Sequence, residues 1–178
     1  LSAIKGGRLA AACHPARVVT LVVSDVPGDD PSIIASGPTV TDPSTAAEAR
    51  EVLARYGVEV PPAVIAHLKQ AGGETPKPDD PAFDGDEIRI VATAQGALEA
   101  AAAIAERSGY ETLMLGERIE GEAREVAKVM AGIALQVRQW KQPLAPPCVV
   151  ISGGETTVTV RGQGRGGRNA EFLLGLAI

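Results

Sequence analysis

Arg17-Val-Val-Thr-Leu-Val-Val-Ser24 is a β-branched run with apolar residues at successive positions. Such a run reads as a strand buried on both faces, the mark of a parallel sheet. It breaks into Ser24-Asp25-Val26-Pro27-Gly28-Asp29-Asp30-Pro31, a polar stretch rich in turn residues. Ser36-Gly37-Pro38-Thr39 and Asp42-Pro43 extend this irregular region. Before the strand, Lys5-Gly6-Gly7-Arg8 interrupts apolar residues, so a helix starts or ends at the glycine pair.

Further along, strands alternate with helices. Ser44 or Thr45 caps a helix running to Tyr56, with Glu48 at the capping-box position after Thr45 and Gly57 closing the end. A second helix spans Pro61–Gln70, with proline in its first turn. Glu74–Asp86 is rich in Pro, Asp and Lys and reads as a linker or a surface loop, with the linker favoured. The domains drawn from it are 1–80 and 81–178. Strands are expected at Ile88–Ala92, Glu111–Leu115, Cys148–Ser152 and Thr156–Arg161, the last two as a hairpin. Helices are expected at Ala94–Ser108, Gly121–Trp140 and from Arg168 onward. In the longest, Val126, Val129, Met130, Ile133 and Val137 follow helical spacing and read as a core stripe. The fold class is α/β with a mainly parallel sheet and flanking helices.

Composition narrows the function. The chain has 178 residues, 45% hydrophobic, enough for one ordinary domain or two small ones. A net charge of −5 and 3% aromatics argue against nucleic-acid partners. No apolar run approaches the ~20 residues of a membrane helix, so no membrane partner is expected. Two cysteines, Cys13 and Cys148, make no disulfide framework and fit a reducing compartment such as the cytoplasm. His14 and His67 have no second ligand at helical spacing.

Three polar stretches sit where open α/β sheets bind ligands, beyond strand ends. In the first, Asp25, Asp29 and Asp30 are either Mg²⁺ ligands or solvated turn acids, and Ser24 adjoins them. The second is Ser152-Gly153-Gly154-Glu155-Thr156-Thr157. Its glycines either admit a ligand to the backbone or simply form a hairpin turn, and Glu155 can meet a hydroxyl or a metal-bound water. The third, Arg161-Gly162-Gln163-Gly164-Arg165-Gly166-Gly167-Arg168-Asn169, leads into a helix. Backbone N–H groups, the helix dipole and arginine together favour a phosphate or carboxylate over a plain flexible loop. It matches neither the Walker spacing nor a full dinucleotide fingerprint.

Taken together, these stretches resemble the glycerate 2-kinase family with a MOFRL domain, some of whose members are labelled hydroxypyruvate reductases. The resemblance rests on Leu1–Ala10, Ser24–Asp30, Ala35–Thr39 with Asp42-Pro43, Glu120–Glu125, Ser152–Val158 and Gly162–Asn169, in the family's order from end to end. It implies a two-domain enzyme with a Rossmann-like first domain. Substrates would meet in the cleft between domains, where ATP would phosphorylate D-glycerate at its 2-hydroxyl with Mg²⁺. Phosphoryl transfer asks mainly for positioning and charge neutralisation. On this resemblance Arg168, Lys5 and Glu155 are the catalytic candidates. Gly153, Gly154, Gly162, Gly164, Gly166, Gly167, Asn169 and Ser24 are the nucleotide or phosphate candidates. Asp25, Asp29 and Asp30 are the metal candidates, and a homodimer is the candidate assembly.

Two departures stand out. Ala170 occupies the place of the family's usual Gln before Glu171. The family's Gly-Lys-Ala and Ser-Gly-Gly-Gly-Ser motifs are absent, and its catalytic lysine is expected in the former. The chain therefore reads as an internal piece, inefficient by itself. Two other classes of function stay open, an NAD(P)H-dependent hydroxypyruvate reductase and a non-catalytic anion-binding domain.

Overall fold

The computed structural model describes residues 2–177. They form two compact units, dividing after Val91. Residues 81–91, assigned to the second domain from sequence, thus fall in the first unit. The reason is local. Val18 N–H donates to Asp86 Oδ1 at 2.8 Å and Arg17 Nε donates to the Gly85 carbonyl at 2.8 Å. These bonds lead Glu87–Ala92 alongside the strand that follows Arg17. The Pro- and Asp-rich stretch is likewise tied down, with Asp42 N–H donating to the Pro76 carbonyl at 3.0 Å.

The first unit contains α1 (Arg8–Cys13), β1 (Val19–Val23), α2 (Ala46–Arg55), α3 (Pro62–Leu68) and β2 (Glu87–Ala92). Helix α1 begins at the glycine pair, with Gly7 in the left-handed region at its N-cap. Helix α2 has the expected capping box. Thr45 Oγ1 accepts from Glu48 N–H, and the Glu48 carboxylate accepts from Thr45 N–H. Strands β1 and β2 form a two-stranded sheet. The expectation that β1 is buried on both faces fails. Val19, Leu21 and Val23 are 51%, 66% and 68% exposed, while the intervening side chains are partly covered. Thr20, on the covered face, donates its hydroxyl to Thr39 at 2.8 Å. A run that is apolar on both faces cannot say which of them gains a neighbour.

The second unit contains α4 (Ala94–Arg107), β3 (Glu111–Met114), β4 (Gly121–Glu122), α5 (Ala123–Trp140), β5 (Cys148–Ile151), β6 (Thr156–Thr157) and α6 (Arg168–Ala177). Strands β3 and β5 pair in parallel, Glu111 opposite Cys148 through Met114 opposite Ile151. A parallel pair needs a crossover, and the segment containing α5 supplies it. The expected hairpin does not form. Strand β6 turns away and pairs in parallel with β4, Gly121 opposite Thr156. Glu122 fixes this departure, accepting from Thr159 N–H at 2.9 Å and Thr159 Oγ1 at 3.1 Å. The Thr159 backbone bond leads the effects that hold the Glu122 carboxyl below its ordinary pKa.

Helix α5 packs against α6. Of the stripe predicted on α5, Val137 is buried and Val126, Met130 and Ile133 are partly covered, whereas Val129 is 64% exposed; Ala123 and Ala127 are buried as well. Small residues occupy the crossing because the helices approach closely there. A Cβ added to Gly175 of α6 would lie 3.0 Å from the Ala127 Cβ and 3.3 Å from the Arg124 carbonyl oxygen. No helix among the described residues is long and apolar enough to cross a membrane.

Enlarging this contact should be costly. Ala127→Leu is expected to destabilise the second unit by about 1–3 kcal/mol through overpacking. A shift of the urea midpoint at constant slope would register it, and an unshifted midpoint would disprove the close crossing.

Candidate functional sites

The candidate residues fall into two groups, one in each unit. In the first unit, the Lys5-Gly6-Gly7-Arg8 turn is laid against Ser36-Gly37-Pro38. Gly6 N–H donates to the Ser36 carbonyl at 2.9 Å, Gly7 N–H to the Gly37 carbonyl at 2.7 Å, and Leu9 N–H to the Pro38 carbonyl at 3.1 Å. Gly7 has φ +80°, and a Cβ there would stand 2.9 Å from the Val40 carbonyl oxygen, so only glycine fits. On the facing loop Ala35 and Ser36 also have positive φ, 52° and 62°. Non-glycine residues hold that conformation only when their surroundings enforce it.

This seam borders a cleft of about 500 Å³. Lys5, Arg8, Ser36, Thr41, Asp42 and His67 are among its lining residues. Arg8 donates to the carbonyl oxygens of Gly73 at 3.2 Å and Glu74 at 2.9 Å, fixing one wall without meeting a carboxylate. Asp42 fixes another. Its carboxylate accepts from Ser44 N–H at 2.9 Å, Ser44 Oγ at 2.6 Å and Thr75 Oγ1 at 3.1 Å. Burial pushes the Asp42 carboxyl up, but these bonds and the Lys77 ammonium outweigh it and hold the pKa below the ordinary value.

The loop after β1 carries the three acids read from sequence either as metal candidates or as solvated turn acids. Asp30 turns back on its own loop, accepting from Ser32 N–H at 2.9 Å and Ser32 Oγ at 2.7 Å, and these bonds lower its pKa. Asp25 is exposed. Asp29 has φ 56° and one buried carboxylate oxygen without a hydrogen-bond partner among the described residues. Among those residues no group of three His, Cys, Asp or Glu side chains is arranged to hold a metal. Neighbours in sequence on a tight turn point in different directions, so three acids in seven residues need not converge. Ser24 is buried, with its hydroxyl 3.4 Å from both Val26 N and Val26 O, and closes the turn.

In the second unit, Gly153, Gly154 and Asn169 come together. With Ser152, Thr156 and Phe172 they line a pocket of about 170 Å³. Backbone contact sets its floor. Gly153 N–H donates to the Gly116 carbonyl at 2.9 Å, and Ile119 N–H donates to the Gly153 carbonyl at 3.2 Å. Gly154, at φ +143°, lies so close to Ile119 that a Cβ would fall 2.0 Å from its carbonyl oxygen. Close packing therefore accounts for this glycine whether or not a ligand also approaches it.

Beside the pocket, the Arg168 guanidinium is ion-paired with Glu155. Sequence reading offered Glu155 a hydroxyl or a metal-bound water; its partner here is arginine. Arg168 opens α6, placing a cation and the exposed N–H groups of the first turn together. Gly162, Gly164, Gly166 and Gly167 lie on the loop before α6, and a Cβ on any of them would meet nothing within 4 Å. Packing does not explain these glycines. Arg8, Ser36, Thr41 and Asp42 line the first cleft without being site candidates from sequence; Arg8, Ser36 and Asp42 enter there only within the stretches that carry the family resemblance.

Residues 1–69 match a family described as a domain of unknown function (DUF4147), and residues 148–178 match the MOFRL family. The chain is 57% identical to a protein named putative hydroxypyruvate reductase from Agrobacterium vitis, over all of the chain and 40% of that protein. It is 40% identical to a D-glycerate 2-kinase from Thermotoga maritima, over all of the chain and 41% of that protein. A crystal structure of glycerate kinase from Thermotoga maritima shares its fold, with TM-score 0.80 and 39% identity over 99% of the chain and 41% of the other. The chain thus spans about 40% of the length of these curated relatives.

Two outcomes follow from the geometry. Gly154→Ala should destabilise the second unit by more than about 2 kcal/mol, because backbone and not a flexible side chain stands in the way. Wild-type stability in a thermal melt would contradict it. Asp42, with its lowered pKa, stabilises the fold above about pH 4 and loses that contribution as pH falls through the lowered value. The acid limb of the melting profile should be shallower in Asp42→Asn, and an unchanged limb would refute the pairing.

Proposed function

We propose, on the premise that this chain belongs to the glycerate kinase family built of the DUF4147 and MOFRL parts, that it supplies part of an enzyme transferring the γ-phosphoryl group of ATP to the 2-hydroxyl of D-glycerate. The product would be 2-phosphoglycerate. The observation that carries this reading is identity of 40% along the whole chain with a protein named D-glycerate 2-kinase.

The chemistry asks for fixed cations and donors around a transferring phosphoryl group, with little covalent work by the protein. In the second unit Arg168 supplies the charge. Its guanidinium offers paired N–H donors that match phosphate oxygens or a carboxylate. Glu155 holds Arg168 until an anion competes for it. The loop carrying Gly162, Gly164, Gly166 and Gly167, with Asn169, presents backbone and amide donors beside the first turn of α6. Gly153 and Gly154 keep the adjoining pocket narrow. In the first unit Lys5 supplies the corresponding cation.

A divalent ion accompanies the nucleotide in this reading. The described residues do not form a protein cage for one. Mg²⁺ commonly arrives bound to phosphates with one or two carboxylates from the protein. Asp29, with its buried unpartnered oxygen, is the acid in the first unit suited to such a contribution. The ion would neutralise phosphate charge.

The name of the Agrobacterium vitis relative favours a second reading, reduction of hydroxypyruvate by NAD(P)H. One pair of assays separates the two. Coupled measurement on the full-length protein should show D-glycerate-dependent ADP release and no hydroxypyruvate-dependent NADH oxidation. The reverse result would replace kinase by reductase. Arg168→Ala should lower kcat/KM for glycerate by at least ~100-fold if the guanidinium stabilises transition-state charge. A loss under threefold would remove Arg168 from the proposal.

A further inference from the structure

The Glu120–Glu125 stretch carries part of the family resemblance, and within it Glu122 stands at the N-cap of α5. Its side chain makes no capping bond to that helix. Both carboxylate oxygens go instead to one remote residue. Oε1 accepts from Thr159 N–H at 2.9 Å, and Oε2 accepts from Thr159 Oγ1 at 3.1 Å. Strand pairing ends at Thr157 opposite Glu122, so this clamp grips the chain two residues farther on. The Thr159 backbone bond, the Thr159 hydroxyl and the Arg124 and Arg161 guanidinium groups favour the charged carboxyl, with desolvation opposing them.

The chain beyond Thr159 is held by little else. Residues 160–167 are exposed and lead to Arg168 at the start of α6. Among the described residues, 160–166 take part in no hydrogen bond. A Cβ on Gly162, Gly164 or Gly166 would meet nothing within 4 Å. The loop is therefore tied at its two ends, through Thr159 to Glu122 and through Arg168 to Glu155. Glycine-rich backbone can turn several N–H groups toward one anion, and it loses much conformational freedom when it does so. Fixing the ends narrows the shapes the loop explores before an anion arrives, which lowers that cost.

We infer that Glu122 is a positioning residue for the 160–167 loop, its clamp on Thr159 setting where the loop's backbone donors meet a polyphosphate. The inference rests on the kinase reading only for naming ATP as that polyphosphate. In this role Glu122 acts through Thr159 and touches no phosphate. The role requires two hydrogen bonds and not a charge. Glutamine can make both, its carbonyl oxygen accepting from Thr159 N–H and its amide donating to Thr159 Oγ1. Alanine can make neither.

Full-length protein carrying Glu122→Ala, Glu122→Gln or Thr159→Val tests this against wild type. The measurements are calorimetric titration with inorganic tripolyphosphate, hydrogen exchange and coupled ADP release. Glu122→Ala should weaken tripolyphosphate at least tenfold and raise KM for ATP at least tenfold, with kcat and KM for D-glycerate changed less than threefold. Its peptide covering residues 158–168 should exchange faster, while the middle of α5 keeps wild-type protection. Glu122→Gln should stay within threefold of wild type throughout, and Thr159→Val should fall between the two. A loss in Glu122→Gln as large as in Glu122→Ala would overturn the inference, because charge would then matter and not the clamp. So would undetectable tripolyphosphate binding in wild type, or a fall in kcat at constant KM for ATP in Glu122→Ala, the mark of a general loss of folded enzyme. If wild type releases no glycerate-dependent ADP, yet tripolyphosphate affinity falls in Glu122→Ala and survives in Glu122→Gln, the clamp stands and the kinase reading falls. Glycerate-dependent ADP release with unaltered KM for ATP in Glu122→Ala does the opposite.

Discussion

Backbone laid directly on backbone is the constraint on which both units depend. At Gly154 the space a side chain would need is filled by the Ile119 carbonyl, 2.0 Å from where a Cβ would sit. At Gly7 the Val40 carbonyl stands 2.9 Å from the same position. Contacts this close bring hydrogen-bonding groups of remote segments into register. Gly7 N–H then reaches the Gly37 carbonyl at 2.7 Å, and Gly153 N–H reaches the Gly116 carbonyl at 2.9 Å. Each contact joins a glycine-bearing turn to a loop far away in the sequence, and each lies at the edge of a pocket.

The large apolar side chains do less than composition suggests. Among the described residues the buried hydrophobic ones are Ala10, Ala46, Ala102, Ala123, Ala127 and Val137, five of the six being alanine. Helices faced with alanine approach closely and leave little room for adjustment. Meanwhile Val19, Leu21 and Val23 present an apolar face of β1 to solvent. Fixed loops and small-residue crossings, more than a deep hydrophobic centre, determine where the polar groups stand.

Charge is organised on the same principle. Acids near the seam are occupied locally: Asp30 by Ser32, and Asp42 by Ser44 and Thr75. Glu122 is occupied by Thr159 and Glu155 by Arg168. Asp30 is satisfied within its own turn and Asp42 by its own turn and the distant Thr75, so neither is paired with Arg8 or the Lys5 ammonium of the first cleft. An acidic protein can in this way present a surface suited to anions.

Much of this architecture is legible in the sequence. The capping box Thr45 to Glu48, the helix beginning at Ala94 and the strand runs at Glu111–Met114 and Cys148–Ile151 all follow from patterns acting over a few residues. Local propensity and periodicity suffice where the partner is near or the element long. The glycines and arginines before α6 were also readable as a cluster, because they are consecutive. What lay beyond reading depended on remote partners. No local pattern reveals that β6 pairs with Gly121–Glu122, since the bond that draws it there is donated by Thr159 N–H to the remote Glu122 carboxylate. Nor does spacing show that Asp30 turns back on Ser32, that Glu155 meets Arg168, or that Lys5 and Thr41 border one cleft. The long helices and the tight turns are legible along the chain, because neighbouring residues settle them, whereas the short strands Gly121–Glu122 and Thr156–Thr157 exist through each other. Which polar groups face one another is settled by the fold, because a side chain's direction is set by the packing of the chain against distant parts of itself.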